Sequence, residues 1–303
     1  MRHSPVLLQE VLEHLALKPG AVVMDGTLGS GGHSEAILEK IGPSGKLIGF
    51  DQDPEAIARC RALFGEDSRV VLVHENFRNV KKVFGSLGVA GFDRALLDIG
   101  TSSEQLADEK RGFSFQTEGA LDMRMNPEVG LKASEMIGQM NEEQLADLFY
   151  YYGEERHSRR FARVVVEARR EHCPLETVED FSKILERALP NHLKFEKGKR
   201  PSWARRNPFT KIFQAVRIGV NDELEALKEG MTGAFDCLAT EGRLGVISFH
   251  SLEDRIVKHQ FRRWHDQKLG KLIFRKPLIA KRSEILNNPR SRSAKFRIIE
   301  KIS

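Results

Sequence analysis

The sequence has few of the features that mark secreted, metal-bound or membrane proteins. Its 303 residues include three cysteines, which are widely spaced and form no C-x-x-C pair, so neither a disulfide framework nor a zinc site is indicated. No apolar run approaches the roughly 18 residues that a membrane-spanning helix needs. The first residues are amphipathic and include acids, unlike a signal peptide. These absences predict a cytoplasmic protein with no metal and no membrane contact.

What the chain does have is an ordinary globular composition with an uneven distribution of charge. Hydrophobic residues make up 40% of it and charged residues 30%, enough to bury a core in one large domain or two smaller ones. The net charge of +5 conceals a basic carboxyl-terminal segment, because residues 251–303 contain 15 Lys and Arg against 5 Asp and Glu. Such a block favours a polyanionic partner, although a solvated surface can have the same composition.

The clearest motif is a glycine-rich loop between an apolar run and a helical pattern. Residues 22–25 are typical of a strand, and the next nine residues, 26–34, contain four glycines. Glycine accepts positive φ and lets a ligand lie directly on the backbone. Because ligands of open α/β sheets bind at the carboxyl ends of parallel strands, the loop predicts a ligand site, with a simple connection as the alternative.

The charges around this loop favour one adenosine ligand over another. A second apolar run ends in Asp51, which is placed to accept hydrogen bonds from a ribose diol. The dinucleotide pattern G-x-G-x-x-G fails at Ser34, and the loop has no P-loop lysine. Asp25 opens the loop with a carboxylate, which would repel a pyrophosphate but suits an ammonium and a sulfonium. We therefore expect S-adenosylmethionine as the cofactor, with NAD as the alternative.

Alternating strand and helix patterns through the first hundred residues predict a parallel, doubly wound α/β sheet. Residues 106–207 have helical patterns and no convincing strand, so we expect a helical insertion between two parts of the sheet domain, 1–105 and 208–303. Four helices are predicted in the insertion, at 133–140, 142–151, 154–171 and 178–189. The second part of the sheet domain is predicted to contain two helices, at 209–238 and 252–264, and three strand segments, at 243–249, 271–274 and 295–302.

The end of the fourth predicted strand carries candidate catalytic groups. Asp98 ends this strand, and Ser102 and Ser103 follow it. A carboxylate and hydroxyls at that point can accept hydrogen bonds from an exocyclic amine and localise its lone pair for in-line attack, so that positioning supplies much of the rate. The same residue types also cap helices, and both roles can hold together.

Two basic segments suggest contact with RNA. Residues 194–206 hold six Lys and Arg interleaved with two aromatic side chains, a combination that suits phosphates and unstacked bases. Arg156, Arg160 and Arg163 fall at i, i+4 and i+7 of the predicted helix and would form one stripe. A flexible, solvated linker is the alternative. At another strand end, His250 and Asp254 could face a substrate. A near capping box of the next helix, with Ser251 as the N-cap and Asp254 at N3, explains this segment better.

Several longer motifs of the chain resemble the MraW/RsmH family of bacterial S-adenosylmethionine-dependent methyltransferases, which methylate N4 of a cytidine in small-subunit (16S) ribosomal RNA. The resemblance runs through nearly the whole chain, in order. It rests on the glycine loop and on residues 96–103, 111–115, 121–125, 213–221, 247–258 and 288–293.

The resemblance implies a class I methyltransferase (Rossmann-like) sheet with a helical insertion that binds RNA. By motif, the cofactor site would comprise Gly31, Gly32, His33, Asp51, Phe77, Asp98 and Gln105. Asp98 with Ser102 and Ser103 would hold the amine of a base that leaves its stack. The expected phosphate contacts are Arg156, Arg160, Lys199, Arg200, Arg290 and Arg292.

The chain departs from the family pattern near the proposed amine pocket. Thr101 and Glu104 stand where the family usually has Val and Pro, and residues 207–212 differ from the usual approach to the next helix. The sequence leaves several alternatives open: methylation of a DNA or protein amine, an NAD-dependent dehydrogenase, and a non-catalytic RNA-binding module. The expected partner is ribosomal RNA or an assembling 30S subunit, and a homodimer is possible.

Overall fold

The computed structural model describes residues 5–114, 118–189 and 209–302. Within these ranges seven strands form one sheet in the order β3-β2-β1-β4-β5-β7-β6. The strands are β1 (Val22–Asp25), β2 (Lys46–Asp51), β3 (Val70–His74), β4 (Phe92–Asp98), β5 (Leu238–Ser248), β6 (Gly270–Leu272) and β7 (Lys295–Lys301). The first five run parallel, whereas β7 pairs antiparallel with both β5 and β6. The predicted doubly wound α/β sheet is confirmed.

Helices alternate with the first four strands and fill the middle of the chain. They are α1 (Leu8–His14), α2 (Gly32–Ile41), α3 (Pro54–Phe64), α4 (Val80–Leu87), α5 (Ser103–Ala107), α6 (Ala133–Gln139), α7 (Glu142–Tyr151), α8 (Ser158–Arg170), α9 (Val178–Glu186), α10 (Thr210–Asn221), α11 (Glu223–Cys237), α12 (Ser251–Asp266) and α13 (Arg282–Asn287). Among the described residues, no helix combines the length and the apolar character needed to cross a membrane.

The chain divides into two compact units. The sheet lies in the first unit, Met1–Ser102 with Leu224–Ser303, and α5 to α10 lie in the second, Ser103–Glu223. The second unit has its own apolar core, in which Phe149, Phe181 and Val216 are almost fully buried. In the described part of this unit, the only β pairing is an isolated bridge between Ala120 and Thr177. A separate core is what a helical insertion needs to fold as a compact body.

The structure corrects two predicted helices. The helix expected over 209–238 is two helices, because Asp222 adopts a left-handed conformation with φ of 48° and ends α10 before α11 begins. The helix expected from 154 begins only at Ser158, so Arg156 lies in the preceding turn. In both places an uninterrupted helical pattern in the sequence concealed a local break in the backbone.

The parallel strands of the first unit bring the chemically distinctive residues to one edge of the sheet. Residues packed on the two faces of the sheet form separate apolar clusters, with Phe50 and Phe84 in one and Ile37 and Phe296 in another. Because β1, β2 and β4 are parallel and adjacent in the order β2-β1-β4, their carboxyl ends lie side by side. Asp25, Asp51 and Asp98 are the last residues of those three strands.

Candidate active site

Backbone hydrogen bonds hold the glycine loop across the ends of three strands. The Gly26 N–H donates to the carbonyl of Leu96 on β4 at 2.9 Å, and the Leu28 N–H donates to Phe50 on β2 at 3.0 Å. The Gly29 N–H donates to Asp51 Oδ2 at 2.8 Å. The loop is therefore fixed by its own strands, with its backbone laid over the carboxyl edge of the sheet.

Glycine is required in the loop for two physical reasons. Gly31 caps α2 with φ of 79°, a backbone conformation that other residues adopt only at a cost. A Cβ on Gly26 would lie 2.3 Å from Leu97 Cδ2, closer than packed carbon atoms tolerate. Side chains here would push the loop away from β4, so the glycines let the backbone sit against the sheet.

Asp25 holds the loop from beneath. Its side chain is buried; Oδ2 accepts a hydrogen bond from the Ser34 hydroxyl at 2.6 Å, and Oδ1 accepts one from the Thr27 N–H at 3.1 Å. Burial raises the pKa of Asp25, and these hydrogen bonds oppose the rise. Asp25 therefore has a structural role, because it ties β1 to α2. The charge argument that placed it next to a cationic ligand stays a prediction.

Asp51 has the geometry of a ligand-facing carboxylate that also positions the loop. Its two oxygens accept hydrogen bonds from the Gly29 N–H and, at 2.9 Å, from the Asp53 N–H. Burial raises the pKa of Asp51 to about 6, although both hydrogen bonds favour the charged form. Each carboxylate oxygen has a second lone pair, so the group can still accept a hydrogen bond from a ligand hydroxyl.

His33 and Asp98 form the most chemically distinctive pair of the site. His33 is 7% exposed, and its Nε2 lies 3.6 Å from Asp98 Oδ2. Among the described residues, no group makes a hydrogen bond to either ring nitrogen of His33 or to Asp98 Oδ1. The Asp98 N–H donates to Thr27 Oγ1 at 2.7 Å, which fixes the end of β4 to the glycine loop. Buried polar atoms without protein partners are typical of a ligand site.

The remaining residues of the expected cofactor site occupy different parts of the chain. Phe77 follows β3, and its Cβ lies 3.3 Å from the position of a Cβ on Gly26, so it reaches the glycine loop. Its ring also packs on Gly230 of α11. Gln105 is buried in α5 of the second unit, where Ser103 is the first helical residue. Ser102, the last residue before the unit boundary, is half-buried.

The expected phosphate contacts are also dispersed. Arg156, Arg160 and Arg292 are exposed, whereas Arg290 is half-buried and donates a hydrogen bond to the Thr101 carbonyl. Because Arg156 precedes α8, the predicted stripe on that helix consists of Arg160 and Arg163 alone. The other two expected contacts, Lys199 and Arg200, lie outside the described residues.

The residues after β5 cap a helix, as predicted, but with different partners. His250 is the N-cap of α12, and Glu253, rather than Asp254, completes the capping box. Asp254 instead accepts hydrogen bonds from Lys295 and Arg297 of β7 at 2.9 and 2.7 Å. The sequence did contain the Glu253 signal, since a glutamate three residues after an N-cap is the usual pattern of a capping box.

The sequence comparisons assign this arrangement to a family. The model of the MraW methylase family matches residues 1–302. The chain belongs to the MraW methylase family. The resemblance inferred from the motifs is thereby confirmed, and so is the interpretation of the sheet as a class I methyltransferase fold.

Curated members of the family match over the full length. A protein named Ribosomal RNA small subunit methyltransferase H from Heliobacterium mobile is 43% identical, over 99% of each chain. The protein of the same name from Heliobacterium modesticaldum is 44% identical, over 99% of this chain and 98% of that one. Family membership makes the chain a methyltransferase and removes the NAD-dependent dehydrogenase from consideration.

Solved structures match with low sequence identity. An rRNA methylase from Streptococcus thermophilus has a TM-score of 0.45 and 11% identity, over 100% of this chain and 99% of that chain. A methyltransferase from Streptococcus mutans in complex with SAH has a TM-score of 0.45 and 12% identity, over 100% of both chains. The family assignment itself rests on the sequence matches.

The residues present fit S-adenosylmethionine. A Cβ on Gly31 would lie 2.7 Å from Leu63 Cδ2 of α3, and a Cβ on Gly32 would lie 2.6 Å from Pro5 Cγ, so this part of the loop offers peptide groups rather than side chains. Asp51 offers carboxylate oxygens of the kind that bind a ribose diol. The unpartnered atoms of His33 and Asp98 supply buried polar groups for the rest of the ligand.

Proposed function

We propose that this protein transfers a methyl group from S-adenosylmethionine to N4 of a cytidine in small-subunit ribosomal RNA. Family membership supports methyl transfer, and the names of the two Heliobacterium relatives support the small-subunit RNA as substrate. The cytidine N4 position rests on the resemblance of the motifs and on the acceptor groups at the end of β4. A ribosomal RNA or assembling 30S subunit in the cytoplasm is the proposed partner.

One observation carries the proposal: Asp98 ends a central strand beside buried His33, and one of its carboxylate oxygens has no hydrogen-bond partner among the described residues. Such an oxygen can accept a hydrogen bond from the exocyclic amine of a cytosine. That bond orients the amine and localises the nitrogen lone pair, which is otherwise delocalised into the ring. The nitrogen becomes acidic as it gains the methyl group, so no strong base is needed beforehand.

The other residues of the site have binding and positioning roles in this proposal. When bound, S-adenosylmethionine supplies an electrophilic methyl group on its sulfonium. Gly31, Gly32 and His33 hold the cofactor from the loop, with Asp51 on the ribose and with Phe77 and Gln105 completing the site. Hydroxyls of Ser102 and Ser103 assist Asp98 at the amine.

RNA must present a single unstacked base to this site. We propose that the target cytidine leaves its stack to reach the methyl donor, because a stacked base cannot present its amine in line with the sulfonium. Arg156, Arg160, Arg290 and Arg292 contribute phosphate contacts, together with Lys199 and Arg200. The residue 106–207 region is proposed as the RNA-substrate domain.

The test is transfer of a tritiated methyl group to purified small-subunit RNA, followed by nucleoside mass spectrometry. We expect N4-methylcytidine as the product. We expect Asp98→Ala to lower turnover about a hundredfold or more, the effect typical of removing a group that acts only in the transition state. Asp236→Asn, which removes an exposed carboxylate near the end of α11, is the matched control and should keep normal turnover.

Titration calorimetry separates the catalytic and cofactor roles of Asp98. Near-normal turnover by Asp98→Ala with intact cofactor binding would remove its proposed role. Methylation of a DNA or protein amine, with ribosomal RNA unmodified, would contradict the RNA assignment. Comparison of methylated cytidines in ribosomal RNA from cells with and without this protein identifies the position.

A further inference from the structure

The exposed side of α12, in the first unit, carries a row of basic side chains that ends at Asp266, four residues after Arg262. Arg255, Lys258, His259 and Arg262 fall at i, i+3, i+4 and i+7, and all four are exposed. The opposite side of the helix is apolar and buried, with Val257, Phe261 and Trp264 packed in the core under the sheet. Residues at this spacing share one helix face, so the four basic side chains project together; we name them the α12 basic face.

These cations differ from most basic side chains around the sheet. Arg69, Arg78, Lys81, Arg243 and Arg297 all form ion pairs with carboxylates. Among the described residues, Lys258 and Arg262 have no carboxylate within ion-pair distance. Two carboxylates of α12 stand four residues from this pair. Asp254, before Lys258, is already bound to Lys295 and Arg297. Asp266, after Arg262, is exposed and forms no ion pair with Arg262 among the described residues.

The basic side chains of this face stand along about two turns of the helix. Lys258 and Arg262 are exposed cations that no carboxylate of the described residues neutralises, and Arg255 and His259 lie on the same face. Exposed cations in such a row are suited to an external polyanion.

The position of α12 connects this face with the active site. α12 begins three residues after β5 ends, at the same edge of the sheet where Asp98 ends the neighbouring β4. From Arg255 to Arg262 the helix rises about 10 Å, enough to span more than one phosphate of a nucleic acid chain. The basic face therefore extends away from the edge that carries Asp98.

We propose that the α12 basic face binds the phosphate backbone of the RNA that flanks the methylated base. This inference rests on the proposed RNA substrate, and it adds a surface to the first unit besides the proposed contacts of Arg290 and Arg292. An anionic membrane fits the helix less well, because the apolar side of α12 is buried in the protein and its exposed side carries no large hydrophobic residue.

The experiment measures binding of the full chain to a fluorescein-labelled single-stranded oligocytidylate over a potassium chloride series. Lys258→Gln with Arg262→Gln should weaken binding and lower the slope of log affinity against log salt by about 1.4, because each phosphate contact to a single strand contributes about 0.7. Lys258→Arg with Arg262→Lys should restore the wild-type slope. Cofactor affinity, measured by calorimetry, should be the same in all variants.

The chain offers a matched control at the opposite edge of the sheet. Lys40 and Lys46 are exposed lysines at the end of α2 and the start of β2, so Lys40→Gln with Lys46→Gln removes the same charge far from the α12 basic face. This variant should keep the wild-type slope. An equal change of slope in both double variants would show that only net charge matters and would overturn the proposal.

Two further outcomes separate this surface from the proposed function. Wild-type protein could methylate ribosomal RNA while Lys258→Gln with Arg262→Gln leaves the salt slope and the KM for RNA unchanged. That result would overturn RNA binding by the α12 basic face and support the proposed function. If the slope falls as expected but no RNA is methylated, the surface stands and the function fails. Loss of binding to phosphatidylglycerol vesicles with unchanged RNA binding would assign the face to a membrane and overturn the proposal.

Discussion

At the scale of single residues, the site depends on carboxylates whose surroundings differ although their positions on the strands are equivalent. Asp25, Asp51 and Asp98 each end a parallel strand. Asp25 is buried and bound to Ser34, and Asp51 is bound by two backbone N–H groups. Asp98 keeps an oxygen that has no hydrogen-bond partner in the part of the chain that the structure describes. Asp25 and Asp51 therefore hold the loop, and we propose that Asp51 also binds the cofactor and that Asp98 holds the reacting amine.

The raised pKa of Asp51 predicts a pH-dependent cofactor affinity. Burial raises this pKa from 3.8 to about 6, so the charged acceptor for a ribose diol is lost as the pH falls through 6. The affinity for S-adenosylmethionine should be constant above pH 7 and weaken below 6, by up to about tenfold per pH unit. Calorimetry in buffers of different ionisation enthalpy should detect proton release on binding near pH 6.

Asp51→Asn tests the assignment, because an amide does not titrate. The variant should bind more weakly at neutral pH and show a flatter pH profile. Identical pH profiles in the variant and the wild type would assign the pH dependence of binding to another group.

The contribution of Asp51 to the stability of the free protein depends on pH in the direction opposite to that of most acids. Because the pKa of Asp51 is raised in the folded state, this contribution is present below pH 3.8 and is lost as the pH rises through 6.

At the scale of elements, α12 is fixed to the sheet by charge on one side and by apolar packing on the other. Asp254 in its first turn accepts hydrogen bonds from Lys295 and Arg297 of β7, and Arg297 is 12% exposed. Burial opposes ionisation of Asp254, but these two hydrogen bonds and the positive charges lower its pKa overall. The pair of bonds thus holds the antiparallel strand against the helix that follows β5.

Asp254→Asn should destabilise the protein by roughly 2 kcal/mol, because it leaves the mostly buried Arg297 guanidinium without its counter-ion. Since the native pKa of Asp254 is lowered, its contribution is fully present above the ordinary value near 4 and is lost as the pH falls further. Urea unfolding at several pH values measures this difference. Asp236→Asn, at an exposed pair with Lys81, is the control and should leave stability nearly unchanged.

An Asp254→Asn variant as stable as the wild type at neutral pH would contradict the structural role of Asp254.

The elements also show where the local sequence was insufficient to predict the bounds of a helix. Apolar periodicity placed β4 at 92–98 and α7 at 142–151, as observed. It could not locate the break at Asp222, because the pattern continues on both sides and a single left-handed residue has no periodic signal.

At the scale of the whole molecule, two units with separate cores share one chain. The first unit contains the glycine loop and the three strand-end carboxylates, and the second has its own buried core built from α6 to α10. A ligand that binds the first unit should stabilise it through mass action, by about 2.7 kcal/mol at a hundredfold excess over the dissociation constant.

Hydrogen exchange measured with and without S-adenosylmethionine tests this expectation. Protection should increase for the amides of Gly26, Gly29 and Asp98, whose hydrogen bonds hold the loop to the strand ends. Amides in the middle of α8 and α9 should exchange at unchanged rates. Equal gains of protection in both units would show that the cofactor is linked to the whole chain rather than to the sheet unit.

The sequence by itself determined the order of strands and helices, the glycine loop and the strand-end carboxylates, because these follow from periodicity and from conformations that few residues can adopt. The tertiary structure decided the separate roles of those carboxylates. Asp25 is buried beneath the loop, where it accepts a hydrogen bond from the Ser34 hydroxyl. The pairing of β1 with β4 brings His33 within 3.6 Å of Asp98. Long-range strand pairing leaves no local signal, so only the folded chain shows which polar atoms keep their partners and which are open to a ligand.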